Sequence, residues 1–250
     1  MKQHLTLLFA LLCCAAIAQQ PKATFAAANK AYVSGDFAEA SRLYESVLQE
    51  GYESAALYNN LGNAYYRQGE LALALINYER ALLLTPRDSE IQENLAFVYS
   101  KTEDHVESLP VLFIVRWWQS LVALASAREW VSIIIVLLCI TCCAVVVFFV
   151  SRDYAWRKGS LLTSGALTLL LCLAVALGIS AQRHAHAHNR AIVTASMSIV
   201  KSSPDANSVD KFILHEGTKV TISDEVDGWH KIRIEDGNKG WITSDDITVI

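Results

Sequence analysis

Residues 58–69 read YNNLGNAYYRQG, and the chain repeats the surrounding pattern at a period of thirty-four residues. Sliding the sequence by that period pairs identical or similar residues: Asn29 with Asn63, Tyr32 with Tyr66, Gly35 with Gly69, Phe37 with Leu71, Ala40 with Ala74 and Tyr44 with Tyr78. A partial third copy pairs Asn60 with Asn94, Leu61 with Leu95 and Tyr65 with Tyr99. Small and aromatic residues at fixed offsets and this period predict a solenoid of paired helices, which builds binding surfaces rather than active sites.

The second copy shows most clearly where the helices of one repeat begin and end. We predict its first helix (helix A) over about 55–68 and its second (helix B) over about 71–84. Gly69 lies between them, where a left-handed helix end favours a residue without a side chain. Gly62 and Ala74 are small, which suits positions where two helix backbones approach closely.

The end of the repeat region is also marked in the sequence. Pro86 ends helix B, and Asp88 or Ser89 is placed to cap a further helix over about 89–100. A solenoid gains its core by stacking, so about three units are usually required. We therefore expect residues 19–108 to contain about two and a half repeats, with the last helix acting as a cap.

These residues resemble the tetratricopeptide (TPR) repeat at nearly every signature position. The resemblance implies a groove, lined by the A helices, that holds an extended segment of a partner protein. Eight residues map to that groove: Phe25, Asn29, Tyr32, Val33, Asn59, Asn63, Tyr66 and Arg67. An Asn side chain both donates and accepts hydrogen bonds, so Asn29 and Asn63 are suited to holding a peptide backbone. The alternative is that these two residues bond neighbouring helices. The lysines of the carboxylate-clamp subtype are missing from the first helix, so no recognition of a C-terminal carboxylate is inferred.

Hydropathy places the chain at a membrane. It is 53% apolar, which exceeds the usual share for a soluble protein. Residues 1–18 predict a secretory signal peptide cleaved after Ala18, because a positive start precedes an apolar stretch and an A-x-A site.

Residues 130–150 and 160–180 carry no charge and are long enough to span a bilayer. The short basic loop 151–159 between them is typical of the cytoplasmic side. Both flanking regions are then expected on the periplasmic side of the inner membrane.

The stretch 109–126 fits neither a soluble helix nor an ordinary span. It is apolar but carries Arg116 next to Trp117 and Trp118. A central arginine disfavours a spanning helix, whereas Trp and Arg together favour the headgroup region. We interpret the stretch as an interfacial helix. The alternative, a third span, would put the two soluble regions on opposite sides of the membrane.

The C-terminal residues 190–250 change to the period of β-strands. Strands at 191–194, 219–222, 229–233 and 240–242, separated by turn signals, predict five or six short strands in a small closed or nearly closed β-barrel.

The same region resembles the bacterial SH3-like family, in the segments AIVTA at 191–195, GTKV at 217–220, GWHKI at 228–232 and GWI at 240–242. The resemblance implies an envelope domain that binds cell wall or other proteins. We predict that Trp229 and Trp241 are core residues rather than ligand platforms, because both follow turn glycines and begin strands.

Groups with reactive chemistry are few. Two of the six cysteines leave with the signal peptide, and the other four lie in the predicted spans: Cys139, Cys142, Cys143 and Cys172. A small apolar role is favoured over a redox role for them. His184, His186 and His188 are weak candidates for a divalent metal, but a polar tract next to the second span is the simpler interpretation.

No catalytic motif is present, so we expect no enzyme activity and no cofactor. The net charge of −4 and the lack of a basic stripe argue against nucleic acid.

The order of all these segments resembles the TPR membrane component of the aerotolerance (Bat) operons of Bacteroidetes and related bacteria. The overall fold class is then a multidomain membrane protein with an all-α TPR solenoid, a two-helix transmembrane hairpin and an all-β SH3-like small barrel. The resemblance implies a scaffold that works with von Willebrand factor A membrane proteins and a MoxR-type ATPase, with a link to oxidative or envelope stress. Two alternatives stay open: a peptidoglycan anchor acting through the SH3-like domain, and a metal or thiol redox component.

Overall fold

The computed structural model describes residues 21–104, 112–185 and 189–250. The predicted signal peptide, 1–18, lies outside the described residues. The described chain divides into two compact units. One unit contains the N-terminal helices and the C-terminal strands, and the other contains the three helices between them.

The N-terminal part of the first unit is entirely helical. Its five helices are α1 over residues 21–33, α2 Phe37–Gln49, α3 Ala55–Gln68, α4 Leu71–Leu84 and α5 Ser89–Tyr99. Helices α1 and α2 form one pair, α3 and α4 form the next, and α5 follows alone. The bounds of α3 and α4 agree with those predicted from the second sequence copy.

Local chemistry explains where these helices end and begin. Gly69 ends α3 with a φ of +89°, in the left-handed region that glycine adopts without steric cost. Asp88 caps α5, because its side chain accepts hydrogen bonds from the backbone N–H groups of Glu90 and Ile91. Of the two predicted caps for α5, Asp88 rather than Ser89 is therefore the one used.

Close packing of α3 on α4 depends on the small residues found in the sequence. A Cβ atom placed on Gly62 would lie 2.8 Å from Cε1 of Tyr78, which is shorter than a normal contact. Ala74 is completely buried, and Tyr78 and its counterpart Tyr44 in the first repeat are buried as well. The repeat therefore places an aromatic ring against a glycine-sized gap in the partner helix.

The second unit consists of three apolar helices: α6 Phe113–Val122, α7 Ala127–Val150 and α8 Tyr154–Ala185. Helices α7 and α8 are long and apolar enough to cross a membrane, by length and composition. The connection between them is only 151–153, because residues 154–159 already belong to α8. The predicted loop 151–159 was therefore too long, since nothing in 154–159 breaks a helix.

Helix α6 covers the central part of the predicted interfacial stretch 109–126. The indole N–H of the buried Trp130 donates to the backbone oxygen of Val122 at 3.0 Å, which fastens the end of α6 to the start of α7. Phe113 and Trp117 are exposed on α6, so this helix presents a large apolar surface.

The C-terminal region is an antiparallel sheet of seven strands. They are β1 Arg190–Val193, β2 Met197–Lys201, β3 Asp210–His215, β4 Lys219–Val226, β5 Trp229–Arg233, β6 Lys239–Thr243 and β7 Ile247–Val249. Their spatial order is β3-β2-β6-β5-β4-β1-β7, and a short 3₁₀ helix, Ser244–Asp246, precedes β7. The sequence predicted five or six strands.

Residues from every strand of the sheet meet in one core, which contains Ala191, Val193, Val200, Leu214, Val220, Ile232, Ile234, Ile242 and Ile247. A sheet that surrounds one core in this way must curve strongly. Neither tryptophan belongs to that core. Trp229 and Trp241 alternate along their strands with the buried Ile232 and Ile242 and point to the outer side. The prediction that both are core residues is wrong, because strand parity decides the side and a preceding glycine does not.

The sheet packs against the second repeat within the first unit. Ile192 of β1 belongs to the same buried cluster as Leu75 and Ile76 of α4. The contact is tightest at Gly217, whose φ is +88°. A Cβ atom there would overlap the side chain of Thr102 and lie 3.1 Å from Cδ1 of Leu75. We call this contact, between α4 with residues 102–104 and the sheet, the docking interface.

Gly217→Ala is expected to destabilise the protein more than Gly228→Ala, its matched control. Gly228 also has a positive φ, of +79°, but a Cβ atom there meets nothing within 4 Å. Both substitutions carry the left-handed penalty of about 1–2 kcal/mol. Overpacking of the docking interface adds about 1–3 kcal/mol for Gly217→Ala alone. Urea unfolding of the purified full chain measures both values, and equal values would contradict the docking interface.

Candidate protein-binding site

Residues near the C-terminal ends of α1, α3 and α5 recur at thirty-four-residue intervals on one face, and the third of them lies just after α5. Val33, Arg67 and Lys101 occupy equivalent positions, one in each copy, and all three are exposed. Val33 is 86% exposed. With their aromatic neighbours these residues form a surface that we call the A-helix face, defined by Tyr32, Val33, Tyr66, Arg67, Phe97 and Lys101.

In the first half of the A-helix face, an aromatic ring lies next to a cation. Tyr32 meets Phe37 edge to face, with ring centroids 5.3 Å apart. The guanidinium of Arg67 lies 4.3 Å above the centre of the Phe37 ring. This cation–π contact holds Arg67 in place and keeps its N–H donors available at the surface.

The same combination recurs one repeat later. Tyr66 meets Phe97 edge to face at 5.5 Å, and the ammonium of Lys101 lies 5.2 Å from the centre of the Phe97 ring. Phe97 is 49% exposed. The groove prediction missed Phe97 and Lys101 because it assigned groove residues in the first two copies only. The signal was present, since these residues follow Asn63 and Arg67 by thirty-four positions.

The two predicted asparagines make hydrogen bonds inside the repeats. The hydroxyl of Tyr44 donates to Oδ1 of Asn29 at 2.6 Å, and that of Tyr78 donates to Oδ1 of Asn63 at 2.7 Å. Asn60 also donates to Oδ1 of Asn29, at 3.1 Å. The side-chain carbonyl oxygens of Asn29 and Asn63 therefore bond neighbouring helices, as the alternative interpretation proposed. Because an amide is planar, each NH₂ group points away from its tyrosine.

Two further predicted groove residues face the interior. Phe25 packs against the core of the first repeat, with its ring centroid 5.7 Å from that of Tyr44. Asn59 is 8% exposed, donates to Glu90 at 3.4 Å and accepts from Asn94 at 3.2 Å. Asn59 therefore joins α3 to α5, and its side chain has no surface for a ligand. Helix α5 covers this position, which the sequence alone did not show.

The chemistry of the A-helix face suits an extended protein segment. Two cations, Arg67 and Lys101, lie over aromatic rings, where they can meet carboxylates. Val33 and Phe97 supply exposed apolar area between and beside these charges.

Asp104 lies directly after this face and joins it to the sheet. It accepts a hydrogen bond from the backbone N–H of His215 at 2.7 Å and another from the hydroxyl of Thr218. Nδ1 of His215 lies 2.8 Å from Asp104 Oδ1, and Nε2 lies 3.6 Å from Glu103. Only two residues separate Lys101 of the A-helix face from Asp104 of the docking interface.

Helix α4 supplies the rest of the polar docking contacts. Lys219 of β4 forms an ion pair with the buried Glu79, whose carboxylate also accepts from the hydroxyl of Tyr99 at 3.1 Å. The backbone N–H of Ala72 donates to Glu216 at 2.9 Å. Glu79 and Ala72 lie on α4, which is a B helix. Val33 and Phe97 stay exposed when the sheet is docked, so the sheet leaves the A-helix face uncovered.

Ionisation at the docking interface follows from these partners. The hydrogen bond to Asp104 raises the pKa of His215, with the nearby charges of Asp104 and Glu103 acting in the same direction. Burial opposes ionisation of Asp104, but hydrogen bonds from Thr218 and His215 outweigh it and lower the pKa of Asp104. Both shifts favour a protonated His215 facing an ionised Asp104.

The remaining candidates show no site geometry. The side chains of His184, His186 and His188 lie outside the described residues. Cys139, Cys142, Cys143 and Cys172 are free and exposed on α7 and α8. Among the side chains that the structure describes, no three His, Cys, Asp or Glu residues are grouped to hold a metal ion.

Comparison with known proteins supports the interpretation of the helical part. A family model for the tetratricopeptide repeat matches residues 25–96. The chain therefore contains TPR repeats over α1 to α5, and such repeats indicate protein–protein interaction. Among curated proteins, no sequence matches this chain.

The raised pKa of His215 predicts that docking weakens as pH rises. A raised folded-state pKa contributes stability that is complete below about pH 6.5, the ordinary histidine value, and is lost as pH rises through the folded pKa. The lowered pKa of Asp104 contributes stability that is lost only as pH falls below about 4.

Urea unfolding of the full chain from about pH 6 to 9 should show this loss of stability. Asp104→Asn should flatten the dependence. Asp210→Asn, which removes an exposed partner of Lys201 elsewhere on the sheet, should leave it unchanged. An unaltered pH dependence in Asp104→Asn would disprove the assignment.

Proposed function

We propose that this protein is a non-enzymatic, membrane-anchored scaffold of the bacterial cell envelope, which binds partner proteins through the A-helix face. The observation that carries the proposal is the recurrence of exposed Val33, Arg67 and Lys101 at equivalent positions of the three repeat copies, near the end of each A helix, with aromatic rings beside the two cations. A partner segment that combines apolar and acidic side chains complements this face.

Anchorage comes from α7 and α8, which have the length and composition of membrane spans. Their exposed large side chains, among them Ile135, Val136, Phe149 and Leu169, suit lipid better than water. The short connection 151–153, followed by Arg157 and Lys158, favours the cytoplasmic side for this end of the hairpin.

The docking interface supports a common side for both soluble parts. Glu79 and Lys219 form an ion pair although 140 residues, including both apolar helices, separate them in the chain. Two groups can meet directly only when the chain crosses the bilayer an even number of times between them. This fits a two-span hairpin with repeats and sheet in the periplasm.

The nature of the partners is inferred from the order of the segments. Repeats, an apolar helix bearing Trp117 and Trp118, two apolar helices and an SH3-like sheet follow one another as in the TPR component of the Bat operons. We therefore propose that the scaffold works with von Willebrand factor A membrane proteins and a MoxR-type ATPase, in tolerance of oxidative or envelope stress.

A photo-crosslinking amino acid in place of Arg67 should capture a partner protein in cells that express the full chain. The same amino acid in place of the exposed Gln49, on helix α2, serves as the control. We expect a discrete adduct from position 67, identified by mass spectrometry, and none from position 49. Equal capture at both positions would contradict a role for the A-helix face.

The membrane arrangement predicts that Lys30→Cys and Asn238→Cys are both labelled from outside the cytoplasmic membrane by a thiol reagent that cannot cross it. Both residues are exposed in the folded protein, whereas a side chain at Gly240 would overlap Val200. Of the six native cysteines, four lie on α7 and α8 and two lie in the predicted signal peptide, so the unmodified chain gives the background. Labelling of one site only would place the two soluble parts on opposite sides and disprove the hairpin.

A further inference from the structure

The outer side of the sheet carries a row of charged and aromatic residues across five strands. Trp241 of β6 lies directly opposite Lys201 of β2 on one side and Lys231 of β5 on the other. The row continues to Asp210 of β3 and Asp224 of β4. Strand parity places all five on the side away from the core.

The cations on this side differ in whether an acidic group forms an ion pair with them. Lys201 is neutralised by its 2.6 Å ion pair with Asp210. By contrast, Lys231, Arg233 and Lys239 form no ion pair within the part of the chain that the structure describes, and Arg233 and Lys239 lie directly opposite one another. Asp224 faces Lys231 across β4 and β5. The row itself is therefore neutral, because Lys201 and Lys231 lie opposite Asp210 and Asp224, and Arg233 and Lys239 lie beside it.

Two tryptophans accompany these cations. The ammonium of Lys231 lies 5.6 Å from the centre of the Trp241 ring. Trp229 stands on the same side of β5, opposite Thr243 of β6. Both indoles are partly exposed and point away from the core. We call the surface formed by Trp229, Lys231, Arg233, Lys239 and Trp241 the Trp–Lys face.

Partly exposed tryptophan together with lysine and arginine is the composition that favours the headgroup region of a bilayer. Indole rings settle at the boundary between headgroups and acyl chains, and the cations attract anionic headgroups. The face lies on the two neighbouring strands β5 and β6.

The chain connection supplies a second reason to choose lipid as the occupant. Only residues 186–189 separate the end of α8 from the start of β1. If α8 is a membrane span, this short connection keeps the sheet at the bilayer surface at high effective concentration. A lipid surface is then the anionic partner that the sheet meets most often.

We propose that the Trp–Lys face binds the anionic phospholipid surface of the membrane in which the chain is anchored. The proposal rests on the membrane anchorage proposed above and adds a specific contact to it. The tryptophans enter the headgroup layer, and Lys231, Arg233 and Lys239 bind phosphate groups there. Because the sheet also docks on α4, this contact fixes how the repeats stand above the membrane.

The test measures acylation of individual lysines in the full chain, reconstituted in phosphatidylcholine nanodiscs with or without phosphatidylglycerol. Phosphatidylglycerol should slow acylation of Lys231 several-fold, since each cation near an anionic surface strengthens association about fivefold. Exposed Lys30 of α1 is the internal control and should react at the same rate in both lipids. Added salt should restore the rate at Lys231.

Charge variants sharpen the test. Arg233→Gln with Lys239→Gln should abolish the lipid effect on Lys231, whereas the matched pair Lys22→Gln with Arg42→Gln, both exposed on the repeats, should preserve it. Equal slowing of Lys30 and Lys231 overturns the proposal, because it indicates a general surface effect. Protection of Lys231 by added peptidoglycan sacculi but not by phosphatidylglycerol also overturns it in favour of an acidic polymer.

Failure of the anchorage is recognised separately. A chain that alkaline carbonate removes from membranes, and that does not enter nanodiscs, contradicts both the anchorage and the lipid contact. A chain that enters nanodiscs but shows no lipid effect at Lys231 contradicts the lipid contact alone.

Discussion

A short stack of helical repeats leaves an apolar helix face open at its end, and this protein covers that face with its own C-terminal sheet. Helix α4 is apolar over most of its surface, and Leu75 and Ile76 are buried. Ile192 packs into the same cluster from the sheet. A solenoid of two and a half repeats normally needs capping units to complete its core. Here α5 covers one side of the second repeat and the sheet covers another, so the stack is completed within one chain.

The energetics of the docking interface explain why it contains charged groups as well as apolar ones. Glu79 is buried, and a buried carboxylate is costly unless it is paired and hydrogen-bonded. Lys219 and Tyr99 both satisfy it. An alternative docking position would separate Glu79 from Lys219 and Asp104 from His215 and Thr218. The charges therefore specify one arrangement, while the apolar contacts and the fit at Gly217 supply the close packing.

Local sequence signals predicted the helical part well and the contacts between distant segments poorly. The positions of Gly69 and of the small residue Gly62 are local signals, and they placed α3 and α4 at the observed bounds. The side on which Trp241 points depends on strand parity relative to Ile242, and a one-residue shift reverses it. The docking of Asp104 on His215 joins residues 111 positions apart, which no local pattern encodes. On the A-helix face, Val33 and Arg67 are exposed, whereas the burial of Asn59 depends on the placement of α5.

In the proposed membrane arrangement, the length of α6 bears on the number of crossings. This helix has ten residues, which at 1.5 Å per residue gives about 15 Å, roughly half of the hydrocarbon thickness. Arg116 lies in its first turn, and Trp117 is largely exposed. A third crossing between the repeats and the sheet would also separate Asp104 from His215 by a bilayer, and the docking interface would be lost. Within that proposed arrangement, the same hydrogen bonds that complete the repeat stack favour an interfacial position for α6 and two crossings by α7 and α8.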